Sequence, residues 1–537
     1  MVYAARSWRP VIMGRSGAVA SNHPLATQAG LLALQRGGNA VDAAIAVAMV
    51  LSVVEPHMSG LGGDGFYHVY NSSSREAVIF NGTGSAPAAA TPERYAAGMP
   101  LDGPLSVSTP GAVGALEAMH RRFGSQSWKG LLAPAIDVAR NGFAATRTYS
   151  NYANEQVTRL LADRRSASVF LLDGRAPQLG SWIVQPDLAN TLEILAAEGA
   201  FAFYRGRIAD ALIAGCLEIG ALLSSDDLAE FEPEIQTPIE IDYRGFTVRQ
   251  SPPNSTGWVL LQELKLAEQF DLASLGPLSA DLIHILVEAK KLAFADRERF
   301  SADPRFFAAP LRTLLSDEYA ASRAKLIDID RASVHPVPAG SPGDTTYFCI
   351  VDGKGNAISA IQSINALFGS GFTAGSTGVL LNSRMSVWHL DQNHPNYLQP
   401  RKRTRHTMNT PMVFKDGKVW CVFGTPGADY QVQVNLQILT SLIDFGFDPQ
   451  QAAEAPRWSS TQPGQDADYP HSCPDALNVE SRFPAQVLQE LAQKGHSIVP
   501  IGDMEGPCSV AIIQSDVDTG IIRAGSDPRR DGWALAY

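Results

Sequence analysis

Apolar residues recur at helical spacing from Pro24 to Gln35, and Pro24 suits the first turn of a helix, where its missing N–H costs nothing. Gly37-Gly38 ends that pattern. Asn39 then stands as the N-cap of a second predicted helix, VDAAIAVAMVLSVV. This helix is apolar nearly all round, which predicts a central, buried position. The glycine-rich SGLGGDGF at 59–66 follows. It lacks the lysine and the preceding strand of a phosphate-binding loop, so a tight turn into a strand at 66–70 is the better reading.

Ser279 opens a third predicted helix, ADLIHILVEAKKLAFADRERF. His284, Glu288 and Lys291 fall on one face of it. That spacing allows a metal or catalytic pair, but a polar face with a satisfied ion pair is its commoner outcome. TTYFCIV at 345–351 is β-branched and aromatic and predicts a strand. DGKGN turns the chain, and AISAIQSI at 357–364 alternates as the returning strand. VWCVFG at 419–424 predicts another buried strand, followed by the turn TPGAD. Thr345 therefore heads a hairpin strand directly after the small, turn-like segment SPGD. Threonines at strand starts are common, so this placement alone does not make it catalytic.

Composition narrows the classes. Of 537 residues, 45% are hydrophobic and 18% charged, and the 46 glycines and 34 prolines are spread without a hinge, so no linker divides the chain. The formal net charge is −11 with no basic stripe, which argues against nucleic acid and anionic membrane surfaces as partners. Five widely spaced cysteines without a CxxC argue against a disulfide framework and against a zinc site. The N-terminal segment has no apolar run of signal-peptide length, and the stretch 40–54 contains Asp42 and Ser52 and is too short to span a bilayer. A cytoplasmic protein is the expectation.

Longer motifs carry a resemblance. ASNHPLATQAG from Ala20, GGNAVDAAIAVAMVLSVVEPHMSGLGGDGF from Gly37 and STPGAVGALEAMHRRFG from Ser108 are followed by YRGFTVRQSPPNSTG from Tyr243. EAKKLAFADRERFSADP from Glu288, GDTTYFCIVDGKGNAIS from Gly343, FGSG from Phe368, GTPGA from Gly424 and a C-terminal SDPRRDG complete the series. In kind and order these resemble the gamma-glutamyltranspeptidase family over nearly the whole chain. The resemblance implies an α+β fold, the four-layer αββα sandwich of N-terminal-nucleophile hydrolases. It also implies a precursor that cuts itself between Asp344 and Thr345, giving a large subunit, 1–344, and a small one, 345–537, as a heterodimer. Nothing in the sequence decides whether two such pairs associate.

By motif, Thr345 is then the nucleophile and its freed α-amino group the base. That amine has a reference pKa of about 7.7–8, so one residue can supply both functions near neutral pH. Ser363 falls where the family places a second hydroxyl, and Asn365 where it places a substrate-orienting asparagine. Gly427 and Ala428 match the pair whose N–H groups form the oxyanion hole. The resemblance implies no metal and no organic cofactor.

The departures bear on substrate. Where glutamyl-specific members carry an arginine for the α-carboxylate, this chain reads Thr83-Gly84-Ser85-Ala86-Pro87. The acid that would meet an α-ammonium is replaced by Val387 in the run Ser383-Arg384-Met385-Ser386-Val387, and the family's Ser-Ser-Met becomes His406-Thr407-Met408. Both halves of amino-acid recognition look removed, while Arg384 is gained, with His406 and Thr407 beside it as further substrate-binding candidates. A guanidinium fork suits a carboxylate. The combination resembles family members that hydrolyse oxamate to oxalate and ammonia in purine nitrogen salvage. Three readings compete with that one: Arg384 paired with an internal acid such as Asp391 or Asp429; a glutamyl or glutaryl amide as substrate; and an uncut, non-catalytic binding protein. Arg401, Lys402, Arg403 and Arg405 are expected to form, for the most part, a solvated basic turn.

Overall fold

The computed structural model describes residues 7–333 and 344–537. Two seven-stranded antiparallel sheets form its centre. One runs in the order Ile12–Gly14, Ile522–Ser526, Ala511–Ser515, Lys418–Gly424, Met412–Lys415, Phe246–Gln250, Ile239–Tyr243. The other runs Trp533–Ala536, Gly17–Ser21, Asp344–Asp352, Ala357–Asn365, Asp64–Asn71, Glu76–Gly82, Glu234–Gln236.

The burial pattern explains the layering. In the strand Asp344–Asp352, Tyr347, Cys349 and Val351 join the apolar layer between the sheets, with Met412, Val422 and Ile513. The alternating Phe348 and Ile350 face the other way, into the layer shared with the helix Ala40–Val54. A strand buried on both faces has no polar alternation to display, which is why this one reads as a continuous apolar run. The helices Gly257–Ala267, Ala280–Phe300 and Tyr430–Ile443 cover the outer face of the other sheet. The result is the expected αββα sandwich.

Local signals work as the sequence suggests. Asn39 caps the Ala40–Val54 helix in a capping box with Asp42, and all 15 residues of that helix are buried. Ser279 caps Ala280–Phe300. On that helix Lys291 pairs with Glu288 at 2.8 Å, and His284 bonds His496 and the Asp328 carbonyl, so the polar face is internally satisfied. The glycine-rich segment is a turn pressed onto backbone. A Cβ on Gly62 would lie 2.2 Å from the Leu380 carbonyl oxygen, and one on Gly63 would lie 2.3 Å from that of Ser363. The five cysteines are buried thiols. Among the described residues no helix is long and apolar enough to cross a membrane.

The basic turn is a correction. Only Arg401 is exposed, where it meets Glu230. Arg403 is buried against Glu234, Arg405 against Glu298 at 2.6 Å, and Lys402 donates to the carbonyls of Pro395 and Tyr397. Each cation finds an oxygen partner once the chain folds, so burial leaves none of them uncompensated.

Candidate active site

Thr345 lies at a fault in the ladder. Asp344 pairs with Asn365 and Thr346 with Gln362, so the single residue Thr345 faces two, Ser363 and Ile364. Such a bulge re-aims side chains at a strand end. Thr345 is 2% exposed, and Gln431 Nε2 lies 3.4 Å from its hydroxyl. Its neighbour Thr346 faces the other way and donates to Glu55 at 2.6 Å.

Gln431 belongs to the first turn of the helix Tyr430–Ile443. The residues before that helix are Gly427 and Ala428, with φ of 120° and 45°. Their carbonyls accept from the N–H groups of Tyr430 and Gln431 and so start the helix. Their own N–H groups meet no acceptor among the described residues. Two adjacent amides at a helix N-terminus are suited to a developing negative charge. Glycine is required at 427, because a Cβ there would stand 2.4 Å from Cys508 Sγ. Behind this turn lies a cavity of about 220 Å³ lined by Lys290, Asp429, Gln433, Asp466 and Cys473. Burial pulls Lys290 down to about 7 and pushes Asp466 up to about 8, with Asp429 and Asp468 adding to the latter.

On the other side of the threonine stands a buried polar cluster. Ser363 Oγ accepts from the Asn365 N–H at 2.8 Å and from Arg384 Nη2 at 3.1 Å. Arg384 Nη1 donates to Asn365 Oδ1 at 2.6 Å, and its Nε to Asp64 Oδ2 at 3.2 Å. Arg384 therefore does pair with an internal acid. The partner is Asp64, from the glycine-rich turn. Asp391 is engaged by Asn393, and Asp429 by Arg297. Three of the five guanidinium N–H groups are used in these bonds, which leaves two.

Burial pushes the Asp64 carboxyl up, against the pull of Arg384 and of the Gly84 N–H. The ring of His406 is fully buried, with Nε2 3.8 Å from Asp64 Oδ2 and no hydrogen-bond partner at either nitrogen. Burial holds it well below the usual histidine range, with Arg384 and Arg403 pushing the same way, so it is a neutral ring. Thr407 is half-buried beside it, and its carbonyl accepts from Asn409.

Three neighbours were not legible in the sequence: Asp64, Gln431 and Asp468. Asn365 Nδ2 donates to Asp468 Oδ1 at 3.0 Å, and Ser386 Oγ donates to the same carboxylate. An acid thus does stand at the place from which Val387 seemed to have removed one. It arrives from the segment between the strands Trp458–Thr461 and Ala476–Glu480, about 80 residues further on. No local pattern announces such a partner. Two groups could offer a metal three ligand atoms, His284–Glu288–His496 and Glu298–His389–His394. In the first, the two rings bond each other, His284 also bonds the Asp328 carbonyl, and the Glu288 carboxylate holds Lys291. In the second, Arg297 and Arg405 hold the carboxylate, and His394 Nδ1 accepts from the Asn396 N–H, which leaves its proton on Nε2, where a metal would bind.

Comparison with known proteins agrees with this geometry. The profile of the family Gamma-glutamyltranspeptidase matches residues 26–537. The chain is 37% identical to the glutathione hydrolase-like YwrD proenzyme of Bacillus subtilis (strain 168), over 98% of this chain and 99% of that one. It is 32% identical to the oxamate amidohydrolase proenzyme of Klebsiella pneumoniae, over 97% and 98%. The crystal structure of cephalosporin acylase from Bacillus halodurans superposes with a TM-score of 0.90 at 36% identity, covering 100% of this chain and 98% of that one. With the sandwich, the strand-end threonine and the two open amides in place, the chain belongs to the gamma-glutamyltranspeptidase family of N-terminal-nucleophile hydrolases, enzymes that act on amide C–N bonds and are made as proenzymes.

Proposed function

We propose that the chain cuts itself between Asp344 and Thr345 and then works as an N-terminal threonine amidohydrolase on a small carboxylate-bearing amide, with oxamate giving oxalate and ammonia. Residues 1–344 and 345–537 would stay together as a heterodimer. The observation that carries this reading is the contact of Gln431 with the Thr345 hydroxyl. It sets the Gly427–Ala428 amides within one helical turn of the proposed nucleophile.

The chemistry follows from those positions. The α-amine of Thr345 takes the hydroxyl proton as Oγ attacks the amide carbonyl carbon. The oxyanion is held by the Gly427 and Ala428 N–H groups, each worth roughly 3–4 kcal/mol in comparable hydrolases. The proton passes to the leaving nitrogen, and ammonia departs. Water, deprotonated by the same amine, then attacks the threonine ester, and the acid leaves as Oγ regains its proton. No step calls for a metal. Ser363 supports the hydroxyl. The two remaining Arg384 N–H groups and the unpartnered His406 ring receive the carboxylate, with Thr407 beside them and Asn365 holding Arg384.

The test is intact mass for the wild type and for Thr345→Ala, followed by ammonia release from oxamate. Two fragments meeting at 344/345, a single chain in the variant, and ammonia support the reading. Cleavage without ammonia rejects oxamate, and an uncut wild type rejects the nucleophile. A glutamyl or glutaryl acyl group is the second reading. Asp468 favours its glutamyl form, because a carboxylate beside Asn365 could meet a substrate ammonium, which a glutaryl group lacks. Faster turnover of a gamma-glutamyl anilide than of oxamate would select it.

A further inference from the structure

We infer that the cavity behind the oxyanion turn is a binding site for a small zwitterionic amino acid, with Lys290 receiving the carboxylate and Asp466 and Gln465 the ammonium. This second site does not depend on which amide Thr345 cleaves.

The cavity is separate from the nucleophile. Lys290 reaches it from the helix Ala280–Phe300, and Gln433 from the helix Tyr430–Ile443. Gln465 and Asp466 reach it from the segment between the strands Trp458–Thr461 and Ala476–Glu480. Gln431 and Gln433 are two positions apart, which sets their side chains roughly 200° apart around the helix. Gln431 meets Thr345 and Gln433 lines the cavity, so the two spaces lie on opposite sides of the helix start. Ala428 lines the cavity as well, so an occupant would touch the oxyanion turn from behind without reaching Thr345. Pockets for drug-sized ligands run from roughly 300 Å³ upward. At about 220 Å³, this one suits a molecule the size of a small amino acid.

Its walls carry polar groups that the fold leaves under-used. Lys290 is 1% exposed, yet among the described residues its side-chain nitrogen has one hydrogen-bond acceptor, Gln462 Oε1. A protonated lysine has three N–H donors, so two remain. Gln465 is 8% exposed, and its buried Oε1 has no hydrogen-bond partner. One oxygen of the buried Asp466 accepts from the Asp468 N–H at 2.9 Å, and the other has no hydrogen-bond partner among the described residues. Buried polar groups of this kind cost stability unless something meets them.

The two ends call for opposite charges. Burial works against both ionised forms, pulling Lys290 down to about 7 and pushing Asp466 up to about 8. A carboxylate brought to the first and an ammonium brought to the second would restore each charge as a hydrogen-bonded pair. A simple anion would pair with Lys290 but stand near Asp429 and Asp466. A simple cation would pair with Asp466 but stand near Lys290 and Arg297, which already holds Asp429. A zwitterion satisfies both ends at once.

The test is a saturation-transfer NMR titration of the matured protein with L-alanine, and with propionate and ethylamine, which each keep one of its two poles. L-Alanine should bind with a Kd of about 1 mM or tighter, and each one-pole analogue about tenfold or more weakly. Lys290→Met and Asp466→Asn should each weaken L-alanine about tenfold or more. Ala476→Leu, which fills the cavity from its wall, should do the same, and melting curves establish which of the three variants are folded. Arg384→Lys, in the Thr345 site, should leave the affinity within about twofold, because the distant sites are independent. No saturation transfer to L-alanine would leave a packing void filled by water and overturn the site. So would equal binding of either one-pole analogue, or full affinity in the folded cavity variants. Loss of binding in Arg384→Lys would put the amino acid beside Thr345 and equally overturn it.

Discussion

Gln431 Nε2 stands 3.4 Å from the hydroxyl of Thr345, while the other end of the same amide accepts from Asn409 Nδ2 at 3.0 Å. The Asn409 bond fixes which end of Gln431 faces the threonine, so the hydroxyl meets a donor. Gln431→Met keeps the length and removes both bonds. It should lower kcat about 3–10-fold. The buried Asn409 amide, left short of an acceptor, should cost about 1–3 kcal/mol of stability. Steady-state kinetics and denaturant unfolding of the matured protein check the two parts.

Gly427 and Ala428 should respond in opposite ways. Gly427→Ala sets a methyl against Cys508 Sγ at a φ of 120°, a backbone conformation that L side chains rarely adopt. It should cost on the order of 100-fold in kcat by shifting an oxyanion donor. Cys508→Ala should not rescue it, because the backbone conformation is unchanged. Ala428→Gly relieves a left-handed residue and keeps its N–H. Wild-type activity within about twofold and equal or greater stability are expected.

Arg384→Lys should not be conservative. One ammonium cannot reach Asp64, Asn365 and Ser363 in the plane that the guanidinium spans. A fall in kcat of about tenfold or more is expected, with a lower melting temperature because Asp64 is left buried and poorly paired. Kinetics and thermal unfolding at one pH suffice.

Activity should rise with pH through the range in which the Thr345 amine loses its proton, about 7–8, because only the neutral amine can accept the hydroxyl proton. A profile of kcat/KM that falls through this range would contradict the amine as base.

Glu263 gives a separate pH effect on stability. Burial pushes its carboxyl up to about 8, with Lys290 and Arg297 opposing, and neither oxygen has a hydrogen-bond partner. In the unfolded chain the group ionises near 4.3. Folding therefore takes up a proton between these values. The stability this group contributes is fully present below about 4.3 and is lost as pH rises toward 8. Glu263→Gln has no proton to take up. Its melting temperature should exceed that of the wild type at pH 8, and the gap should close toward pH 5.

The frame of the site was readable from sequence because its signals are local. Asn39 caps its helix through its own neighbours, and the apolar run of 345–351, the DGKGN turn and the alternation of 357–364 fix the hairpin that carries Thr345 and Ser363. The basic turn at 401–405 was misread because Arg403 and Arg405 are satisfied by Glu234 and Glu298, which local sequence cannot place there, and Lys402 by the carbonyls of Pro395 and Tyr397. Arg384 was correctly singled out, but its partner Asp64 lies 320 positions away in a turn that reads as glycine-rich and nothing more. Asp468 was hidden for the same reason. Position 387 offered the only local place to look for an acid, and the fold supplies one from elsewhere.

The strand order has a mechanical consequence for a chain cut before Thr345. In one sheet, Gly17–Ser21 from the first segment lies between Trp533–Ala536 and Asp344–Asp352 from the second. In the other, Ile12–Gly14 and Phe246–Gln250 of the first segment flank a block of four strands from the second. The two pieces are interlaced like the fingers of clasped hands, in both sheets at once. Pulling them apart would mean unzipping at least four backbone ladders, so separation and unfolding become the same event. Fragments made separately would have to fold around each other to form the site, and dilution alone should never release one from the other.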